Sequence, residues 1–362
     1  MERIPFVDLQ ARHRPLQSSL AAAAARVLAG GRFILGPEVK AFERELAATL
    51  GVTSAVGVSS GTDALLAALL ALGIGPGDEV VTTPYSFFAT AEAIVRLGAR
   101  PVFADVEPDT LNLDPGAVAS RLGARTRAVL VVHLFGRPAP LGDLRELCAP
   151  IGPPILEDAA QAIGARGVGS AAAATLSFFP SKNLGGFGDG GAVLTNDTQL
   201  AETVRQLRSH GAVEKMRHQR IGGNFRLDEL QAALLRVELP HLGAWTAARR
   251  RVAALYGDRL AGLPIRLPPP DDGCVWNQYV VRAAAERRDA LRRHLDLQGV
   301  DSAVYYPIPL HLQPALAFLG HRPGDFPNAE RAAAESLALP IYPGLTEDAI
   351  ARVAGALRDF FR

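Results

Sequence analysis

Cysteine and lysine are the scarce residues of this chain. Two cysteines occur in 362 residues, Cys148 and Cys274, far apart. They make neither a disulfide framework nor a metal-ligand spacing, so a reducing compartment and no metal centre are expected. No apolar run approaches the roughly 20 residues of a membrane span. The start, Met1 to Asp8, holds no apolar signal core, so the expected location is the cytoplasm. Excess charge is missing too. The net charge of +1 offers no electrostatic case for nucleic acid or an anionic membrane. There is also no basic helix-turn-helix segment.

Against 35 arginines stand three lysines, Lys40, Lys182 and Lys215. Plain positive charge is evidently supplied by arginine, so a surviving lysine is a candidate for amine chemistry. Lys182 has the setting for it. It follows the β-rich run Thr175–Phe179 and opens a glycine-dense loop that leads to a second apolar run, Ala192–Thr195. A lysine at a buried strand end can form a Schiff base with an aldehyde once burial lowers its pKa. Taken alone, the same residue also reads as a solvated loop lysine.

What is present in quantity is apolar sequence: 48% hydrophobic against 21% charged residues. That is the composition of a globular protein long enough for two domains. From Ser54 a rhythm of short strand, turn and helix sets in. The strands are expected at Ala55–Val58, Glu79–Thr83, Pro101–Ala104, Ala128–His133, Pro154–Glu157, Thr175–Phe179 and Ala192–Thr195. Most are continuous apolar runs, as in sheets covered on both faces. Helices such as Thr62–Leu72 and Thr90–Leu97 lie between them. The fold class is α/β: a large domain with a mostly parallel seven-stranded sheet flanked by helices. The glycine-rich link before the last strand leaves no room for a crossover helix. That strand is therefore expected antiparallel or displaced.

Ligands bind at the carboxyl ends of such strands, so the strand ends carry the candidates. Ser59-Ser60-Gly61-Thr62-Asp63 is a strand, a tight turn and a helix start. Free backbone N–H groups and a hydroxyl there suit a phosphate, and equally an ordinary capped helix. Phe87 and Phe88 offer a stacking face or fill core. Asp158 ends an apolar strand and needs a cationic partner, unless it merely caps a helix. Gln161, one turn on, points to the same space if that segment is helical. In chain order these are an anion site, an aromatic platform, an acid and an amine. Pyridoxal 5′-phosphate needs those four things for its phosphate, ring, ring nitrogen and aldehyde.

At this point the sequence resembles the DegT-like nucleotide-sugar aminotransferases, within the aspartate-aminotransferase-like fold (fold type I). The resemblance rests on Ile4–Leu9, Gly61-Thr-Asp-Ala-Leu65, Pro84–Thr90, His133-Leu-Phe-Gly136, Glu157-Asp-Ala-Ala-Gln161, Ser177–Lys182 and Gly188-Asp-Gly-Gly191. It continues through Arg208-Ser-His-Gly211, Gly223–Ala233 and Tyr306–His311. These span nearly the whole chain. The resemblance implies that Lys182 carries the cofactor, Asp158 pairs with the ring nitrogen, and Gln161 sits by the ring hydroxyl. Phe87 would stack on the ring, with Phe88 as the fallback. Gly61, Thr62 and Ser177 would hold the phosphate. Asn224 would reach it from the other subunit of a homodimer, so that two chains share each active site. Tyr305, Tyr306 and His311 would line the substrate pocket, with His218 and Arg220 near the sugar or diphosphate.

The implied reaction moves an amino group from an amino acid, L-glutamate in most of the family, to a nucleotide-linked 3- or 4-keto hexose. Relatives that carry His at the lysine position act as dehydratases. A dehydratase or lyase, or a non-catalytic regulatory protein on the same fold, is the alternative that Lys182 argues against. Arg137, Asn277 and Tyr305 depart from common family residues and bear on which sugar fits.

The second half adds helices at Leu227–Leu239 and about Trp245–Leu260, a proline-rich connection at Pro264–Asp272, and a strand at Gln278–Arg282. Helices at Arg287–Gln298 and Ala349–Phe361 follow. The expected division is a large cofactor-binding domain, 1–245, and a smaller C-terminal α/β domain, 246–362.

Overall fold

The structure, a computed structural model, describes residues 2–362. Seven strands form the main sheet: β1 (Ser54–Val58), β2 (Glu79–Thr82), β3 (Arg100–Phe103), β4 (Thr126–Val132), β5 (Ile155–Asp158), β6 (Ala173–Ser177) and β7 (Gly191–Thr195). Their order is β1-β7-β6-β5-β4-β2-β3. Every pairing is parallel except those of β7, which runs antiparallel to both β1 and β6. The link between β6 and β7 contains no helix, so no crossover returns the chain parallel to β6.

Strand ends moved by one or two residues from the expected positions. β6 spans Ala173–Ser177 rather than Thr175–Phe179, because Ser177 pairs with Gly191 at the first residue of β7. β5 runs one residue further than expected, which makes Asp158 its last residue.

Helices cover both faces. Gly61–Ala71 is apolar on nearly all sides and packs on β6 and β7 beneath the helices Ala89–Arg96 and Thr198–Leu207. Pro37–Leu50 packs against β1 and the helix Glu229–Glu238 on the opposite face, with Phe42 and Leu46 fully buried. Each such side chain contributes about 1.5–3 kcal/mol of burial. Among the described residues no helix is long and apolar enough to cross a membrane.

A small hairpin, β8 (Ala212–Glu214) with β9 (Arg217–His218), projects after the helix Thr198–Leu207. It was not legible in the sequence, since neither arm carries buried apolar residues.

The helix Leu242–Leu260 joins the two cores. Leu242 belongs to the core under the main sheet, whereas Val252, Ala253, Tyr256 and Leu260 belong to the C-terminal core. The residue pair 245/246 thus lies within one continuous helix. The C-terminal unit contains the antiparallel pair β10 (Tyr279–Arg282) and β11 (Ser336–Leu339) beneath the helices Ala285–Leu297 and Glu347–Phe361. Ile4, from the other end of the chain, is buried in this same core, and its N–H donates to Gly299 O at 2.8 Å.

Candidate active site

At the carboxyl ends of the parallel strands lies a cavity of about 440 Å³, where Gly61, Thr62, Phe87, Asp158, Ser177 and Lys182 meet. Gln161, Tyr305 and Tyr306 line it as well. Four separate strand ends, those of β1, β2, β5 and β6, and a loop of the C-terminal unit therefore converge on one space.

The floor comes from β1. Ser60 caps the helix Gly61–Ala71, its Oγ accepting from Asp63 N at 3.0 Å. The N–H groups of the first turn have no partner within the helix, and they sit at its positive end. Gly61 is required for contact rather than for flexibility: a Cβ there would stand 2.7 Å from Ser177 Cβ. The helix start thus abuts the end of β6, with a serine hydroxyl beside two free amides, a ready anion site.

Asp158 is buried at the end of β5, between β4 and β6. Its Oδ2 accepts from Thr90 Oγ1 at 2.8 Å and its Oδ1 from Ala160 N at 3.2 Å. Thr90 Oγ1 in turn lies 3.0 Å from Ser86 Oγ, which faces the cavity. Burial pushes the Asp158 carboxyl above the usual carboxylate range; the two hydrogen bonds, Lys182 and His133 pull the other way. A carboxyl in that position gains from a cation in the cavity.

Lys182 follows β6 on a turn closed by its own N–H, which donates to Phe179 O at 2.8 Å. Burial lowers its amine to about 8, against the pull of Asp158. Near neutral pH such an amine is a nucleophile and a base.

Gln161 has one defined orientation. Its Oε1 accepts from Phe135 N at 2.6 Å and its Nε2 donates to Tyr306 Oη at 2.8 Å. Burial raises the Tyr306 phenol, so it keeps its proton. With the hydroxyl oxygen accepting from Gln161, that proton is free to point elsewhere. Tyr85, fully buried, fastens the Tyr305–Tyr306 segment: its hydroxyl donates to Tyr305 O at 2.6 Å and accepts from Tyr306 N at 3.0 Å. Of the adjacent aromatics, Phe87 is 61% exposed on the cavity, while Phe88 packs on core.

Not every expected residue lies at this chain's own cavity. His311 does not reach the cavity. Leu310 N donates to Pro84 O at 2.7 Å, which turns His311 inward; its ring packs 4.7 Å from Phe326 and its Nε2 lies 3.1 Å from Glu330 Oε1. His218 and Arg220 are exposed around the β8–β9 hairpin, outside this chain's cavity. Asn224 is likewise exposed, bridged to Ser209. Arg137 and Asn277 lie elsewhere too. Arg137 pairs with Asp271 and stands over Trp276, and Asn277 donates to Asn183 Oδ1. Of the three departures only Tyr305 faces the site.

Thr90, Ser86 and Tyr85 were not singled out from sequence. Thr90 and Ser86 stand four residues apart, but hydroxyl residues near a helix start read as caps, and only the tertiary contact with Asp158 reveals their position.

The sequence profile of the DegT/DnrJ/EryC1/StrS aminotransferase family matches residues 16–358. The chain belongs to this family. Among its relatives is the dTDP-3-amino-3,4,6-trideoxy-alpha-D-glucose transaminase of Streptomyces venezuelae, 48% identical over 99% of this chain and 96% of that protein. The crystal structure of S. venezuelae DesV with a ketimine intermediate superposes with a TM-score of 0.97 at 47% identity, covering 100% of this chain and 99% of that one. NtdA of Bacillus subtilis, crystallised with bound cofactor PMP, gives a TM-score of 0.96 at 31% identity over 100% and 86% of the two chains.

This aminotransferase is thus a nucleotide-sugar transaminase by descent, and its cofactor is pyridoxal 5′-phosphate. The cavity fits that group on its own terms: a helix N-terminus with Ser177 for a dianion, an exposed ring, a buried acid that lacks a cation and an amine close to neutral.

Proposed function

We propose that the cavity transfers an amino group from an amino-acid donor, L-glutamate, to the ketone carbon of a nucleotide-linked hexose at ring position 3 or 4. The observation that carries this reading is the convergence of Lys182 and Asp158 on one cavity, the amine lowered to about 8 by burial. When bound, pyridoxal 5′-phosphate supplies an aldehyde carbon that takes up the amino group and a ring that accepts the electron pair.

The residues divide the remaining work. Gly61, Thr62 and Ser177 hold the phosphate with amides and a hydroxyl. Phe87, exposed on the cavity, would lie against the ring. Asp158 holds the ring nitrogen protonated, and Thr90 and Ala160 N hold Asp158. Lys182 anchors the aldehyde at rest, and as a free amine it takes the proton from the donor's α-carbon. Gln161 and Tyr306 form one hydrogen-bonded unit that would sit by the ring hydroxyl, and Tyr305 with Tyr306 would border the sugar. A regulatory protein on this fold would have no use for a buried amine at the cavity, and a dehydratase of the family would lack it.

The reading includes a homodimer that shares its sites. Phe33, Ile34, Phe187 and Leu230 are exposed together beside the Lys182 loop, where Glu229 N donates to Phe33 O and Phe187 N to Gln231 Oε1. An apolar patch of that kind marks an interface. A second copy seated there would bring its own Asn224 and the β8–β9 hairpin with His218 to this cavity. The large domain, 1–245, would carry the cofactor and the C-terminal domain, 246–362, would supply the Tyr305–Tyr306 wall, in a cytoplasmic enzyme.

The test is the absorption spectrum of the purified protein with cofactor. The visible band is expected to bleach with L-glutamate and to return on adding a nucleotide-linked keto-hexose, with amino sugar and 2-oxoglutarate formed in equal amounts. A band indifferent to every amino acid would overturn the transfer reaction.

A further inference from the structure

The turn that carries Lys182 has an unusual backbone. Residues 180–185 belong to neither strand nor helix, and the turn brings the Gly185 backbone close to the Pro180 carbonyl. A Cβ on Gly185 would stand 2.2 Å from Pro180 O. Carbonyls buried outside regular structure require donors from elsewhere.

Arg12 supplies them. Its Nη1 donates to Lys182 O at 3.0 Å, and its Nη2 donates to Gly185 O at 3.0 Å and to Pro180 O at 3.4 Å. The guanidinium is itself buried, its side chain 5% exposed, over the Trp245 ring at 5.2 Å. Its counter-charge is Glu238, fully buried, with Oε2 3.4 Å from Nη2. The neighbouring His13 places Nε2 2.9 Å from Glu238 Oε1 and its ring 4.6 Å from Phe187, further along the same loop. Asp8 caps the short helix Leu9–His13 that presents both residues.

A planar fork can meet carbonyls at both ends of a turn, which the compact ammonium of a lysine cannot. The contact falls on the carbonyl of Lys182 itself, so a shift of the turn would move the amine. Burying a guanidinium for this purpose is otherwise unfavourable, and the aromatic ring and Glu238 offset it.

We propose that Arg12 is a positioning residue for the transfer reaction: its guanidinium, held by Glu238 and Trp245, clamps the turn that presents Lys182 and so sets where the amine points. The proposal rests on the reading of Lys182 as the reactive amine.

The test compares wild type, Arg12→Met and Arg12→Lys, each loaded with cofactor. Hydrogen exchange across residues 178–188, the pH midpoint of the visible band, and kcat and KM for L-glutamate are measured with thermal unfolding. In Arg12→Met the loop amides should exchange about tenfold faster or more, with those of β5 unchanged. The hydrogen bonds lost are charge-assisted ones. The band midpoint should move, and kcat should fall about tenfold with KM within about twofold, because positioning acts on the chemical step. Arg12→Lys should lose part of each.

Loop exchange, midpoint and kcat all at wild-type values in Arg12→Met would overturn the clamp, even with a lowered Tm. If Arg12→Met fails to fold, Arg12→Lys decides by the same readings, and wild-type values there overturn it. A wild-type protein that never forms the band would overturn the lysine reading, and the clamp with it. A wild type that forms the band beside an unaltered Arg12→Met would overturn the clamp alone.

Discussion

Thr90 donates its hydroxyl to the buried carboxylate of Asp158 over 2.8 Å, and it is the only side chain hydrogen-bonded to that acid among the described residues. The acid stands on β5, and the hydroxyl on the helix that follows β2. The bond lowers a carboxyl that burial holds high.

Replacing Thr90 with Val keeps the shape and removes the donor. The Asp158 pKa should rise further, since a hydrogen bond to the ionised form is lost. Ionised Asp158 then requires higher pH, so the acid limb of the kcat profile should move upward by about one unit. The pH profile of kcat checks this; an unmoved limb would mean that Thr90 only fills space.

Lys182 titrates near 8 rather than at its ordinary 10.5. The apoprotein should therefore take up pyridoxal phosphate faster as pH rises toward 8 and level off above it, following the neutral amine. Stopped-flow absorbance over pH reads this directly. Lys182→Ala should bind the cofactor without the covalent band and lose turnover by orders of magnitude.

The depressed lysine also couples to folding. Between about 8 and the unfolded value of 10.5 the unfolded chain binds more protons than the folded one. This group's contribution to stability should thus rise as pH climbs through that window. Denaturant midpoints of apo wild type minus those of Lys182→Met, taken at several pH values, isolate the term.

Gly61→Ala should lose cofactor with little effect on the fold. Its new methyl would meet Ser177 Cβ at 2.7 Å, and the helix start must back away from the serine. Cofactor dissociation should strengthen by tenfold or more, an effect of about 1.4 kcal/mol in the cavity's anion site. Equilibrium dialysis measures it, and Tm of the apoprotein serves as the control.

Tyr85→Phe removes the hydroxyl that pairs with both Tyr305 O and Tyr306 N. Two backbone groups lose their partner, which should reduce stability by about 1–3 kcal/mol. The Tyr305–Tyr306 wall should loosen, so KM for the sugar is expected to rise more than KM for the amino acid. Urea unfolding and steady-state kinetics with each substrate varied in turn separate the two effects.

Much of this was legible in the sequence because it is local. Short, mostly continuous apolar runs bounded by turn residues and alternating with helices read as strands covered on both faces, and all seven appear. A lysine among 35 arginines stands out by its chemistry. The link from Phe178 to Gly190 is too rich in glycine to hold a crossover helix, so an antiparallel or displaced β7 could be expected, and the pairing with β1 and β6 makes it antiparallel. The direction of His311 was not legible, for the same local reason. Its segment is stiff and proline-flanked, which shows that it is extended but not which way the ring turns. Only the packing of Phe326 and Glu330 behind it decides that.

The sequence by itself thus determined the sheet, the order of its strand-end groups and the kind of chemistry those groups supply. Each of these depends on side-chain type and on spacing over a few residues. The tertiary structure alone decided which hydroxyl steadies Asp158, which amide direction frees the Tyr306 proton and which arginine holds the lysine turn. Arg12 and Lys182 are 170 positions apart. No periodicity links such pairs, because they meet only after the sheet has closed and buried polar groups have taken whatever donors the fold brings within reach.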